Sequence, residues 1–114
     1  ALSRLLNKTE IETELFWGGD LTHTQNRIFV NVTGIANSMT RINGFVDPRI
    51  QNRFKDYPVI IVDTSCAPGT GNLTFLNEIF PKDKKVDLVI DHHSTQTVDP
   101  KYYYHEPYGS CASI

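Results

Sequence analysis

Pro58-Val-Ile-Ile-Val-Asp63 and Val86-Asp-Leu-Val-Ile-Asp-His-His93 decide the fold. Each is a short apolar run, rich in β-branched residues, that closes on an aspartate. Runs without polar alternation are the pattern of strands covered on both faces of a parallel sheet. Between them lie a stretch of small residues, Ala67-Pro-Gly-Thr-Gly71, and a segment from Asn72 to Phe80 stopped by Pro81. In that segment Leu73, Leu76 and Phe80 recur at helical spacing, so a helix is predicted there. A strand, a crossover of roughly 20 residues carrying a helix, and a second strand make a βαβ unit with parallel strands.

The flanking sequence extends the same reading. Asp47-Pro48 is a helix cap followed by proline at the first helical position, with Ile50 and Phe54 on one face. Upstream, Ile11 to Trp17 is partly alternating, ends at Gly18-Gly19 and is read as a strand. Thr22 with Gln25 spells a capping box opening a helix whose Ile28, Phe29, Val32 and Ile35 form an apolar stripe; Gly34 lies near its end. Leu2, Leu5 and Leu6 form a helical face with no cap before it, and Gly109 to Ile114 reads as a helix opening. Tyr102 to Tyr104 reads as a short edge strand, and residues 36–46 carry no assignable pattern. The fold class expected is α/β, an open and mainly parallel sheet with helices on both faces. The uncapped ends suggest a piece of a larger domain.

Composition narrows the function. The chain has 114 residues, the size of one domain, with 39% hydrophobic and 21% charged content, which argues against disorder. A net charge of −2 gives no general field for gripping nucleic acid, so a phosphate-bearing substrate needs a local site. No apolar run approaches the ~18–20 residues of a membrane span and no signal-peptide pattern opens the chain, so a cytoplasmic protein without membrane contact is expected. Cys66 and Cys111 form no Cys-x-x-Cys pair and read as buried thiols. The Asn-x-Ser/Thr triplets at Asn7, Asn31 and Asn72 read as incidental.

Ligands bind at the carboxyl ends of strands in an open parallel sheet. Asp63 and the triplet Asp91-His92-His93 should therefore share one edge. Either acid alone reads equally well as a turn cap. Both acids with a double histidine point to a metal, since oxygen and imidazole donors suit Mn²⁺, Fe²⁺, Zn²⁺ or Mg²⁺. Neighbouring histidines in extended backbone point opposite ways, which predicts different tasks for His92 and His93. Gly69-Thr-Gly71 lacks the Lys-Ser/Thr of a phosphate-binding loop and reads as a flexible loop. His23 reads as a first-turn helix residue and His105 as a surface residue. Gly109-Ser110, at the start of a helix, has backbone N–H groups able to hold an anion.

Val62-Asp63-Thr-Ser65, Val89-Ile-Asp91-His92-His93 and Gly109-Ser-Cys-Ala-Ser113 resemble the second and third motifs of the DHH-family phosphoesterases. Gly18-Gly-Asp-Leu-Thr-His-Thr-Gln-Asn-Arg-Ile-Phe-Val-Asn-Val-Thr-Gly-Ile35 is similar to the strand and helix that join that family's first and second motifs. Asp-Thr-Ser after the strand looks more like the nanoRNase and exopolyphosphatase-related branch. The resemblance implies a hydrolase with two metal ions, Mn²⁺ by preference and Mg²⁺ as the alternative. It implies Asp63 as the carboxylate bridging both ions and His92 as a ligand of one. It implies Asp91 as a supporting acid, His93 as a phosphate contact, and Gly109 and Ser110 beside the substrate phosphate. Small nucleotides or short oligonucleotides are the implied substrates. The family's Asp-x-Asp first motif, its fourth-motif aspartate and its C-terminal substrate-binding domain are not among these residues. Residues 1–114 are thus expected to be a partial domain, inactive alone and prone to self-association such as a homodimer. An inorganic pyrophosphatase or polyphosphatase of the same superfamily, and a non-catalytic α/β interaction module, are the alternatives.

Overall fold

The computed structural model describes residues 2–42, 47–94, 96–107 and 109. Ser110, Cys111 and the helix opening expected after Gly109 lie outside the described residues. The chain is α/β with open parallel sheets and divides into two compact units, residues 1–43 and 44–114. No described helix is long and apolar enough to cross a membrane.

The first unit contains α1 (Leu2–Lys8), β1 (Phe16–Gly18), α2 (Thr24–Thr33), a 3-10 helix (Ile35–Ser38) and β2 (Thr40–Ile42). β1 and β2 pair in parallel, Phe16 opposite Thr40, with α2 in the connection. The expected strand from Ile11 shrinks to three residues, because β2 supplies only three ladder positions. β2 itself falls in the stretch where the sequence carried no pattern. The capping box does not form: the first helical bond of α2 runs from the Arg27 N–H to the His23 carbonyl, and His23 makes no side-chain cap. Gly34 ends α2 in the left-handed region (φ 63°), its N–H on the Val30 carbonyl. The stripe of Ile28, Phe29, Val32 and Ile35 is exposed. Ile42 is the one buried residue among those described in this unit.

The second unit contains α3 (Pro48–Asp56), β3 (Ile60–Val62), a 3-10 helix (Gly71–Leu76), β4 (Leu88–Asp91) and β5 (Tyr102–His105). Asp47 caps α3 by accepting from the Arg49 N–H at 2.9 Å, and Pro48 occupies the first helical position. β3, β4 and β5 form a parallel sheet in that order, Ile61 opposite Val89 and Val89 opposite Tyr103. The predicted parallel pairing of the two apolar strands is therefore found, with Tyr102–His105 as the edge strand, although the crossover between β3 and β4 carries 3-10 turns and not an α-helix. Its core is Phe54, Ile61, Leu76, Ile79, Phe80, Val86, Val89 and Val98, with the Phe54 and Phe80 rings tilted at 5.8 Å.

β3 is buried on one face only: Ile61 is covered, while Ile60 and Val62 are exposed. In place of the helix expected over Asn72–Phe80 there are 3-10 turns within Gly71–Leu76, broken by a kink at Leu73 (φ −105°, ψ 20°). Their geometry follows from the turn before them. Gly69 and Gly71 both have positive φ, and the Thr74 hydroxyl donates back to the Gly71 carbonyl at 2.6 Å, which favours the tighter winding. Leu76, Ile79 and Phe80 still reach the core.

Candidate metal centre

Parallel pairing sets Val62 opposite Ile90, so the next residues, Asp63 and Asp91, emerge at the same end of neighbouring strands. The Asp63 N–H continues the ladder by donating to the Ile90 carbonyl at 3.0 Å. There the chain turns: Asp63 has φ 63°, a left-handed conformation that aspartate tolerates better than most residues. This turn takes the Asp63 side chain out of the strand's alternation, toward the residues following β4.

Asp63, Asp91, His92 and His93 each offer a donor atom, and these atoms lie within 4.8 Å of one another. Asp63 Oδ1 is 3.3 Å from His92 Nε2. His93 Nδ1 is 2.7 Å from Asp91 Oδ1. The two imidazole rings lie side by side, centroids 4.3 Å apart, rather than on opposite sides as strand alternation predicts. The cause is that β4 ends at Asp91, so His92 and His93 are no longer in extended ladder geometry. Their partners nonetheless differ, one exposed carboxylate and one buried.

Asp91 is fully buried (0 % exposed) and saturated with donors. Its Oδ1 faces the His93 ring, its Oδ2 accepts from the Ser65 hydroxyl, and the backbone N–H groups of His92 and His93 also contribute. Burial is the largest single influence and pushes this carboxyl up. The accepted hydrogen bonds together outweigh it and hold the group below the usual carboxylate range. The hydrogen bond to that carboxylate raises His93 above the ordinary imidazole value, against a smaller effect of burial and with help from the charges of Asp91 and Asp63.

Ser65 is itself fixed from behind. Its carbonyl accepts from the Thr97 and Val98 N–H groups at 2.8 and 3.1 Å, and its hydroxyl lies 2.9 Å from the Tyr103 hydroxyl. His105, opposite Asp91 in the ladder, places its Nε2 2.9 Å from the His93 carbonyl. Ser65, Tyr103 and His105 thus belong to the hydrogen-bond network around the cluster, although the sequence marked none as a site residue and His105 as plain surface. The usable signal was the period of two in Tyr102–His105, which puts Tyr103 and His105 on one face.

The other sequence-level candidates fall elsewhere. His23 occupies the N-cap position of α2 in the first unit without a side-chain cap bond, Gly109 is exposed with nothing packed where a Cβ would stand, and Ser110 is outside the described residues. Gly69-Thr-Gly71 is a hydrogen-bonded turn and not a free loop: the Gly69 N–H donates to the Leu73 carbonyl and the Thr70 N–H to the Ala67 carbonyl.

The donor set suits a divalent cation. Two ligands at right angles on an ion with ~2.1 Å bonds are about 3 Å apart. The 3.3 Å between Asp63 Oδ1 and His92 Nε2 matches that spacing. A carboxylate with an imidazole fits Mn²⁺, Fe²⁺ or Zn²⁺, whereas Mg²⁺ prefers oxygen alone. Asp91 has little capacity left for a metal, its oxygens already being used within the protein. Comparison with family models, curated proteins and solved structures finds no match to this chain, so the cluster's task has to follow from its own chemistry.

Proposed function

We propose that this chain carries part of the metal centre of a phosphoesterase of the DHH type, acting on the phosphodiester or phosphomonoester bonds of small nucleotides or short oligonucleotides. The observation that supports it most is the convergence of Asp63 with Asp91, His92 and His93 at the carboxyl edge of two adjacent parallel strands. In this reading Asp63 and His92 hold Mn²⁺, and Asp91 orients the imidazole of His93 toward a substrate phosphate. Bound metal supplies a Lewis acid for the phosphoryl oxygens and a nucleophile at neutral pH. The protein supplies position: Asp63 is aimed by its left-handed turn, and His93 is held by a buried acid. A protonated His93 donates to a phosphate oxygen, and its hydrogen bond to Asp91 favours that protonated form.

Calorimetric titration with Mn²⁺ tests the reading. Heat that saturates for the native chain and is lost in Asp63→Asn and His92→Ala is expected. If the native chain takes up no Mn²⁺, Zn²⁺ or Fe²⁺, the cluster is an ordinary turn and an interaction module becomes the better description.

A further inference from the structure

The hydrogen bonds around Asp91 run in one direction only. A carboxylate accepts and cannot donate. The Ser65 hydroxyl therefore gives its single proton to Asp91 Oδ2. With that proton committed, Ser65 Oγ can only accept from the Tyr103 hydroxyl, 2.9 Å away. On the opposite oxygen, His93 Nδ1 must carry its proton to bond Asp91 Oδ1 at 2.7 Å. The chain of donors is then Tyr103 to Ser65 to Asp91, met from the other side by His93. It links β5, the turn after β3 and the turn after β4.

We infer that Ser65 and Tyr103 are positioning residues that act in series through Asp91 to fix the tautomer and ring orientation of His93. The consequence is that the proton of neutral His93 stays on Nδ1 and that Nε2 is turned away from Asp91. Tyr103 sets the rotation of the Ser65 hydroxyl, and that hydroxyl sets the plane of the carboxylate. His105 reinforces the arrangement at the main chain, because its Nε2–H donates to the His93 carbonyl while its ring stacks on Tyr103 at 5.8 Å. The inference deepens the metal-centre reading, on which its meaning for phosphate binding rests. The tautomer itself does not depend on any metal.

Nitrogen-15 NMR of the histidine rings of the 114-residue chain tests this without metal, at alkaline pH where the imidazole is neutral. The native chain should show His93 in the Nδ1–H form by about tenfold or more over the alternative, the equilibrium worth of one charge-assisted hydrogen bond. Tyr103→Phe, which keeps the ring and removes only the hydroxyl, should shift the ratio part of the way toward an unrestrained imidazole. Ser65→Ala should shift it further. Because the contacts act in series, the double variant should match Ser65→Ala alone. Additive effects, or no change in Tyr103→Phe with its melting transition intact, would overturn the inference. Should Ser65→Ala fail to fold, Tyr103→Phe against the native chain still decides it. Absence of Mn²⁺ binding with the tautomer as expected would remove the metal reading and leave the relay standing.

Discussion

Asp63 Oδ1 meets His92 Nε2 at 3.3 Å from a backbone held at φ 63°. The carboxylate reaches its partner only because residue 63 leaves the strand in the left-handed region. That region costs ordinary L-residues roughly 1–2 kcal/mol, and Asn and Asp less than most. Site geometry and backbone preference can therefore be separated by substitution. Asp63→Asn should keep the melting temperature and lose metal affinity. Asp63→Val, β-branched and poorly suited to positive φ, should also lose about 1–2 kcal/mol of stability. Paired chemical denaturation and Mn²⁺ titration check both; equal stability of the two variants would contradict the backbone argument.

Asp87 holds the opposite end of the sheet. Its Oδ2 accepts from the Val59 N–H at 2.8 Å and its Oδ1 lies 2.6 Å from Lys101 Nζ, which ties the entries of β3, β4 and β5 together. The bond to Lys101, then that to Val59, hold its carboxyl below the usual range. A folded-state pKa below the unfolded value means the stabilisation is present above about pH 4 and is lost as pH falls through the folded value. Lys101 is about half exposed, so the gain is limited to about 1 kcal/mol. Asp87→Asn should lower stability at pH 7 by that amount and flatten the acid limb of the stability curve, measured by urea denaturation from pH 2 to pH 7.

Gly71 has no room for a side chain. Its φ is +48°, and a Cβ there would stand 2.5 Å from Cys66 Sγ, in the turn directly after the Asp63–Ser65 segment. Gly71→Ala combines strain with overpacking and should cost about 1–3 kcal/mol in denaturant unfolding. Cys66→Ala in the same chain should recover part of the loss, because it removes the sulfur but not the positive φ. A full recovery would assign the whole cost to the clash.

The elements that the sequence disclosed are those whose signal is local. Asp47-Pro48 specifies its own cap and first turn, and the runs Pro58–Val62 and Val86–Ile90 are apolar enough to be read as parallel strands, of which Ile60–Val62 and Leu88–Asp91 form. β2 was not legible, because Thr40-Arg-Ile42 has no pattern of its own and is a strand only through its ladder with Phe16–Gly18. The 3-10 winding of Gly71–Leu76 was hidden for a similar reason: apolar spacing reports which residues face the core, not how tightly the turn is wound. In the candidate centre, Asp63 and Asp91-His92-His93 stood out because residue type and strand end coincide. Ser65, Tyr103 and His105 did not. Their roles arise from the β4–β5 register and from a turn that returns Thr97 and Val98 to Ser65, and a linear reading contains neither.

The two histidines provide the last test, because their environments differ although their rings touch. His92 faces the exposed carboxylate of Asp63, the pair whose spacing matches adjacent metal ligands. His93 has Nδ1 committed to the buried Asp91, and in the proposed reading its free edge meets phosphate rather than metal. His92→Ala should therefore weaken Mn²⁺ binding strongly, while His93→Ala should leave it almost unchanged. Asp91→Asn should do more than either to the fold. It replaces a buried acceptor of several hydrogen bonds with an amide that presents a donor to donors, at about 1–3 kcal/mol. Elemental analysis of each purified variant, with calorimetry, separates these outcomes. If His93→Ala strips the metal and His92→Ala does not, the roles are exchanged and His93 is the ligand. If neither alters metal uptake while the native chain binds Mn²⁺, the ion sits on other residues and the phosphoesterase reading loses its support.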